Sequence, residues 1–319
     1  MKYNKVYKED VTIDQISRLF KSVWDLDDYS KIYNKTNWAF NNDFSKILLF
    51  EDNNKLIAAR GGIYWPLQIG QNSIKTVQFH GTCVHPSYRR KGIFSDINKL
   101  FLAEANEDGV DFIFNISVDI SRKGYEKLGW EYISGFRRLT YIRKPLKFIT
   151  HRKKQNSISD PTIDLGDIIV PQSFIEARNT KLSKTVHCKY SSEFLEWRLS
   201  NSYENYGKTQ TSKGLIIYKV KNNKNGLKEV IIGEVFLLEY NYKNFSEVLK
   251  LLIDNENPDL LFTYIFKGHP CYLYFIMNLF LPNPKRYNLN FGTKFLNKGL
   301  QSNMLNKKWA ICFLDIDTF

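Results

Sequence analysis

The residues with the clearest chemical potential lie in one run, Thr82-Cys83-Val84-His85-Pro86-Ser87-Tyr88-Arg89-Arg90-Lys91-Gly92-Ile93-Phe94-Ser95. A strand-like segment ends at His85-Pro86, polar residues make a turn, and Gly92 opens an amphipathic stretch, so the run reads as strand, turn and helix start. Amides at a helix start have no intrahelical acceptor and carry the positive end of the helix dipole. A glycine there lets an anion approach the backbone closely. With Arg89, Arg90 and Lys91 beside it, the place suits a pyrophosphate. Basic turns also occur without a ligand, and the order of the surrounding elements is what favours a binding site.

Those elements follow from periodicity. Residues 11–24 have helical spacing, with Ile13, Ile16, Leu19, Phe20 and Val23 on one face. Residues 46–51 and 55–65 read as strands around an Asn53-Asn54 turn, and 75–84 as the strand entering the basic run. Helix 92–108 follows, then a buried strand at 110–116, a helix at 121–128 ended by Gly129, and a strand from Trp130. The first half thus reads β-α-β-β-β-α-β-α-β. Residues 151–160 are polar and charged, as a linker would be. Beyond them the rhythm repeats: helix 191–199, strands 214–221 and 229–238, helix 245–253, strand 260–266, helix 270–279 and a closing strand at 308–314. The expected fold is α/β (α+β), a tandem pair of mixed, mostly antiparallel sheets flanked by helices: residues 1–150, a linker at 151–165, and 166–319.

The basic run resembles motif A of the GNAT (GCN5-related N-acetyltransferase) superfamily, Val-x-Pro-x-x-Arg-x-x-Gly-x-Gly/Ala, through Val84, Pro86, Arg89 and Gly92; Phe94 stands where that motif has a small residue. Asn115, then Tyr125-Glu126-Lys127-Leu128-Gly129-Trp130, resembles the superfamily's Asn…Tyr-Glu-Lys-Leu-Gly-Phe run. Together the motifs cover roughly the first 145 residues and are more specific jointly than singly. The resemblance implies acetyl-CoA or another acyl-CoA as co-substrate. Cys83, Val84, Arg89, Arg90, Lys91, Gly92, Ile93, Phe94 and Ser95 would then hold it, with the pantetheine arm in a gap beside Asn115. The tandem layout and a terminus ending in Phe319 are similar to the enhanced-intracellular-survival acetyltransferases and N-myristoyltransferases. Ser192 to Leu199 loosely resembles a run in tandem members from bacterial surface-polysaccharide loci, although Trp197 and Arg198 also read as an ordinary helix packing a tryptophan. The second half lacks an Arg-x-x-Gly-x-Gly segment, so it is expected to have lost CoA binding and to shape the acceptor pocket.

Acyl transfer to an amine has three demands: the amine must lose a proton, the oxyanion needs a donor, and the leaving thiolate needs a proton. By resemblance, the Val84 amide polarises the thioester carbonyl and Tyr125 is the general acid. His80 is a candidate base, since alternation places His80, Thr82 and Val84 on one strand face; Glu51 is a weaker carboxylate candidate. By resemblance again, the α-carboxylate of Phe319 is a base, with Asp315 or Asp317 nearby. The opposing reading is a frayed terminus.

The bulk numbers narrow the alternatives. The formal charge is +13, which suits an anionic partner such as a nucleotide-linked one. The densest basic stretch, residues 137–154, reads first as a solvated strand end and linker. The four cysteines show no CxxC pair, so neither a zinc site nor a disulfide framework is expected. The N-terminus has no apolar signal-like region and the most apolar stretch is too short for a bilayer, which places the protein in the cytoplasm. The expected acceptor is a small amine such as an amino sugar. Aminoacyl transfer from tRNA of the Fem type is opposed by the intact Arg89-x-x-Gly92, and a catalytically dead binding module finds no nucleic-acid motif in its support.

Overall fold

The computed structural model describes residues 3–24, 28–117, 119–151, 168–201, 204–223, 226–284 and 289–317. Among these residues the strands form an eight-stranded and a six-stranded sheet. In the first, β1 (Asn4–Tyr7), β2 (Ser45–Asp52), β3 (Lys55–Ile69), β4 (Asn72–Val84) and β5 (Phe112–Ser117) lie side by side, followed by β14 (Asn290–Phe295) and β6 (Glu131–Ile133); β8 (Val186–Cys188) pairs with the end of β3. The second runs β13 (Leu281–Pro282), β7 (Phe136–Ile142), β12 (Leu260–Phe266), β11 (Lys228–Leu237), β10 (Gly214–Asn222) and β9 (Tyr206–Gln210). The expected α/β fold with two mixed, mostly antiparallel sheets is what forms.

Local chemistry explains the early register. Asn53 and Asn54 both take positive φ, 50° and 61°, which asparagine tolerates and which matches the twist of the β2–β3 hairpin. On one face of this sheet lie α1 (Ile13–Trp24) and α2 (Tyr29–Phe40), burying Ile16, Leu19, Phe20 and Phe40 against Ile47, Leu49 and Ala59. On the other lies α3 (Ile93–Glu107), whose Ile93, Ile97, Phe101 and Ala105 recur at helical spacing over Leu48, Ile57, Val77 and Ile113. Next to it is α4 (Asp119–Lys127); α5 (Pro145–His151) follows β7. The other half adds α6 (Gln172–Leu182), α7 (Ser192–Leu199), α8 (Tyr242–Glu256), α9 (Tyr272–Met277) and α10 (Lys298–Leu305).

The order β4-α3-β5-α4 recurs as β11-α8-β12-α9, and each unit holds a parallel strand pair, β4–β5 and β11–β12. The outer neighbours are exchanged. β7, from the first half of the chain, pairs with β12, while β14, from the second half, pairs with β5. Most of the expected linker, residues 152–165, lies outside the described residues.

The closing strand expected at 308–314 is replaced by isolated bridges, Val186 with Trp309 and Ile265 with Cys312, and by a short helical turn, Phe313–Asp315. Its apolar run is buried as expected, yet it meets β8 and β12 only through single bridges rather than a continuous ladder. It enters the space beside β12, where Phe266 N–H donates to the Ile311 carbonyl at 3.0 Å and the Cys312 thiol donates to Glu234 of β11 at 3.3 Å. In the second half, therefore, residues 311–312 lie between the ends of β11 and β12.

Candidate active site

β4 and β5 pair only from Thr76–Phe112 to Gln78–Phe114. Beyond that β4 continues to Val84 and β5 to Ser117 without pairing to each other, so a gap opens between them. His85 N–H donates to the Ile57 carbonyl at 2.8 Å. Since backbone groups alternate sides along an antiparallel strand, the Val84 amide one residue earlier turns away from β3, toward the gap.

The same strand carries a bulge. Gly61 pairs with His80 and Ala59 with Cys83, so three steps on β4 match two on β3. Gly81 takes φ +58°, and a Cβ there would come within 3.1 Å of Phe20 and Phe40. The bulge resets the alternation. His80 and Cys83 share the face of α1 and α2, while Val84 shares the α3 face with Phe79. The expectation that His80, Thr82 and Val84 face one way is thereby corrected: strict period two fails where an extra residue enters the strand.

At the start of α3, Arg90 and Gly92 have φ of +63° and +82°. Among the described residues the amides of residues 90–94 have no backbone acceptor, and the turn borders a cleft of about 430 Å³. Thr82, Cys83, Val84, Arg89, Arg90, Gly92, Ile93, Phe94 and Ser95 line it, with Val23 of α1. Arg89, Arg90 and Lys91 are exposed, and the Lys91 ammonium stands 4.7 Å from the Tyr88 ring centre. Cys83 is buried and its thiol is pushed up to about 12 by that burial, so it is a wall rather than a nucleophile. Phe94, the departure from the small residue of motif A, is accommodated by Gly124 of α4: a Cβ at Gly124 would meet Phe94 Cε1 at 2.9 Å.

Tyr125 of α4 is 5% exposed. Its hydroxyl lies 3.4 Å from Thr82 Oγ1 and accepts from Arg60 Nη1 at 3.3 Å. Phe79, Phe94 and Trp130 surround the ring. Arg60, on β3, is 1% exposed, and burial pulls its guanidinium down to about 10, so it remains a cation at neutral pH. Asn115, one residue past the last β4–β5 pair, is 3% exposed, and among the described residues neither its amide nitrogen nor its oxygen has a partner. Gly292 opposite makes room for it, since a Cβ there would lie 2.4 Å from Asn115 Oδ1. Unpaired buried amides are costly, and one beside an open gap suits a polar chain lying in that gap.

On the opposite face, His80 Nδ1 meets Asp317 Oδ2 at 2.5 Å, with side chains 8% and 11% exposed. Gln78 holds the same carboxylate through its Nε2 and accepts from the Asp317 amide at 3.1 Å. Burial works to raise the Asp317 carboxyl, but the hydrogen bond and charge of His80 outweigh it, so the group is held below the usual carboxylate range. The tail is fastened by Arg198 of α7, which is fully buried. Its guanidinium donates to the carbonyls of Leu314 at 3.3 Å and Ile316 at 2.8 Å, and to the Tyr206 hydroxyl at 2.6 Å. Arg198 thus does more than the packing expected of it.

Asp315 takes a different environment. It accepts from Tyr190 at 2.5 Å and from the Cys312 amide at 2.8 Å, and Arg178 lies 3.5 Å away. Glu234, Cys312 and Asp315 offer donor atoms within 4.8 Å of one another, but Arg178 Nε is 2.6 Å from Glu234, so a guanidinium already meets the charge there. Glu51 sits near the β2–β3 turn, outside the residues lining the cleft. Phe319 lies outside the described residues.

Residues 6–133 match the family description "Acetyltransferase (GNAT) domain". No curated protein matches the chain. Among solved structures, a GCN5-related N-acetyltransferase from Kribbella flavida is 13% identical, with a TM-score of 0.62 over 93% of this chain and 72% of that one. A probable N-acyltransferase from Enterococcus faecalis V583 is 12% identical, with a TM-score of 0.63 over 93% and 73%. Saccharomyces cerevisiae N-myristoyltransferase with bound myristoyl-CoA is 14% identical, with a TM-score of 0.56 over 92% and 82%. These structures share the fold. Residues 6–133 thus match a GNAT acetyltransferase domain, and the gap between β4 and β5 lies within them.

Proposed function

We propose that this protein transfers an acetyl or related acyl group from an acyl-CoA, held along residues 83–95 and Asn115, to the primary amine of a small anionic acceptor. An amino sugar linked to a nucleotide is the first acceptor class to test, in view of the charge of +13. The observation that carries the reading is the end of β4–β5 pairing at Gln78 and Phe114, because the Val84 amide, the unpaired Asn115 and the free amides before α3 then border one gap. The donor thioester supplies the acyl group. The Val84 N–H polarises its carbonyl, Tyr125 holds the proton meant for the leaving sulfur, and His80, oriented by Asp317, takes the amine's proton from the other face. In this reading the chain is two units, 1–150 and 166–319, each lending one strand to the other. The second shapes the acceptor pocket, since residues 311–312 occupy its own gap.

The test is calorimetric titration with acetyl-CoA of the wild type and of an Arg89→Ala/Gly92→Glu variant. Saturable binding lost in the variant supports the site and leads to an amine screen. A folded wild-type protein that does not bind would mean that Phe94 marks a degenerate site, and the reading would fall. Once an acceptor is found, Tyr125→Phe should lower kcat by about 10²-fold or more with little change in KM.

A further inference from the structure

We infer that Arg60 is a positioning residue for the proton donor: it aims the Tyr125 hydroxyl and pairs with the phenolate left when that hydroxyl gives up its proton. The inference rests on the reading of Tyr125 as the acid. In the step concerned, the sulfur–acyl bond breaks, the nitrogen–acyl bond forms, and the O–H proton of Tyr125 moves to the leaving sulfur. A phenolate remains beside a guanidinium until solvent returns a proton.

The geometry points this way because, among the described residues, no carboxylate or carbonyl accepts a hydrogen bond from the Arg60 guanidinium. Its Nε and Nη2 are buried without a hydrogen-bond partner. Among the described residues its one hydrogen bond goes to the Tyr125 hydroxyl. The guanidinium carbon stands 3.4 Å from the centre of the Phe79 ring, which fixes its plane, and Thr82 Oγ1 approaches the same hydroxyl from β4. A buried cation lacking its full set of hydrogen bonds lowers stability, and an apolar side chain of similar volume would serve the fold better. An anion that forms only during turnover is what such a cation is suited to meet.

The other charged or titratable groups around Tyr125 do not replace it. Asp317 acts on Arg60 at longer range, Tyr132 is coupled to Tyr125 only through space, and Arg122 and Glu126 on α4 form an exposed pair with each other at 2.8 Å. Phe79, Phe94 and Trp130 supply rings without charge.

The experiment labels tyrosine with ¹³C at Cζ, identifies the Tyr125 signal by its loss in Tyr125→Phe, and titrates the free protein with pH. In Arg60→Met and Arg60→Gln the phenol-to-phenolate midpoint should rise by at least one pH unit. Arg60→Lys, which keeps a cation, should stay nearer the wild type. The thermal midpoint of Arg60→Met should equal or exceed that of the wild type. An unchanged Tyr125 midpoint in the folded Met or Gln variant overturns the inference, and a lowered thermal midpoint beside it makes Arg60 a structural residue. Should the Met variant not fold, the Gln and Lys pair gives the same reading. Full turnover in Tyr125→Phe would instead remove the acid role of Tyr125, a failure distinct from an unchanged titration.

Discussion

His80 and Asp317 are separated by 237 positions and meet at hydrogen-bonding distance. Neither residue alone is distinctive: a strand histidine is common, and an aspartate near a terminus is usually solvated. The pairing gives the histidine a fixed orientation, which a base needs before its acidity matters. A carboxylate held below its usual range adds stability that is fully present above its unfolded value of about 3.9 and is lost as pH falls through the lower folded value. Asp317→Asn should therefore be less stable than the wild type at pH 6. The difference should narrow as the pH drops below about 4, read by urea unfolding at a series of pH values. A difference that does not change with pH would mean that the pair does not form in solution.

Among the elements, the contact of α3 with α4 shows how a departure from a motif is absorbed. A small residue at the last motif position would leave the first turn of α3 open; Phe94 fills that space because Gly124 has no side chain. Gly124→Ala should cost about 1–3 kcal/mol through overpacking, and adding Phe94→Ala should recover most of it. Denaturant unfolding of the two single variants and the double variant measures that coupling, and additive losses would refute it. The bulge at Gly81 acts at the same scale: one extra residue sends His80 to the face of Asp317 and leaves Val84 on the face of Tyr125.

For the whole molecule, the exchange of β7 and β14 joins the two halves more firmly than a linker would. Residues 1–150 alone would lack β14 and leave β5 with an open edge, while β7 would have no β12 to pair with. Expressed alone, that fragment should be unfolded or aggregated, and the full chain should melt in one cooperative calorimetric transition. A soluble fragment with the circular dichroism of a folded domain would show that the halves are independent. No helix among the described residues is long and apolar enough to cross a membrane.

Much of the cofactor side was readable along the chain because its determinants are local. The Arg89-x-x-Gly92 turn, the helix after it, the Asn53-Asn54 hairpin and the strands on either side depend on residues within a few positions of one another, so periodicity and turn chemistry reveal them. Helix α2, the strands exchanged between halves and the irregular path of residues 309–315 were not readable, because packing against distant elements decides them. Arg60 looks in the sequence like any strand arginine before Gly61-Gly62; only burial among Phe79 and Tyr125 removes its water and its alternatives. Asp315 and Asp317 are equivalent as letters. The tertiary structure gives the first to Arg178 and Tyr190 and the second to His80, because the turn at Phe313–Asp315 and the Arg198 clamp set where each carboxylate comes to rest.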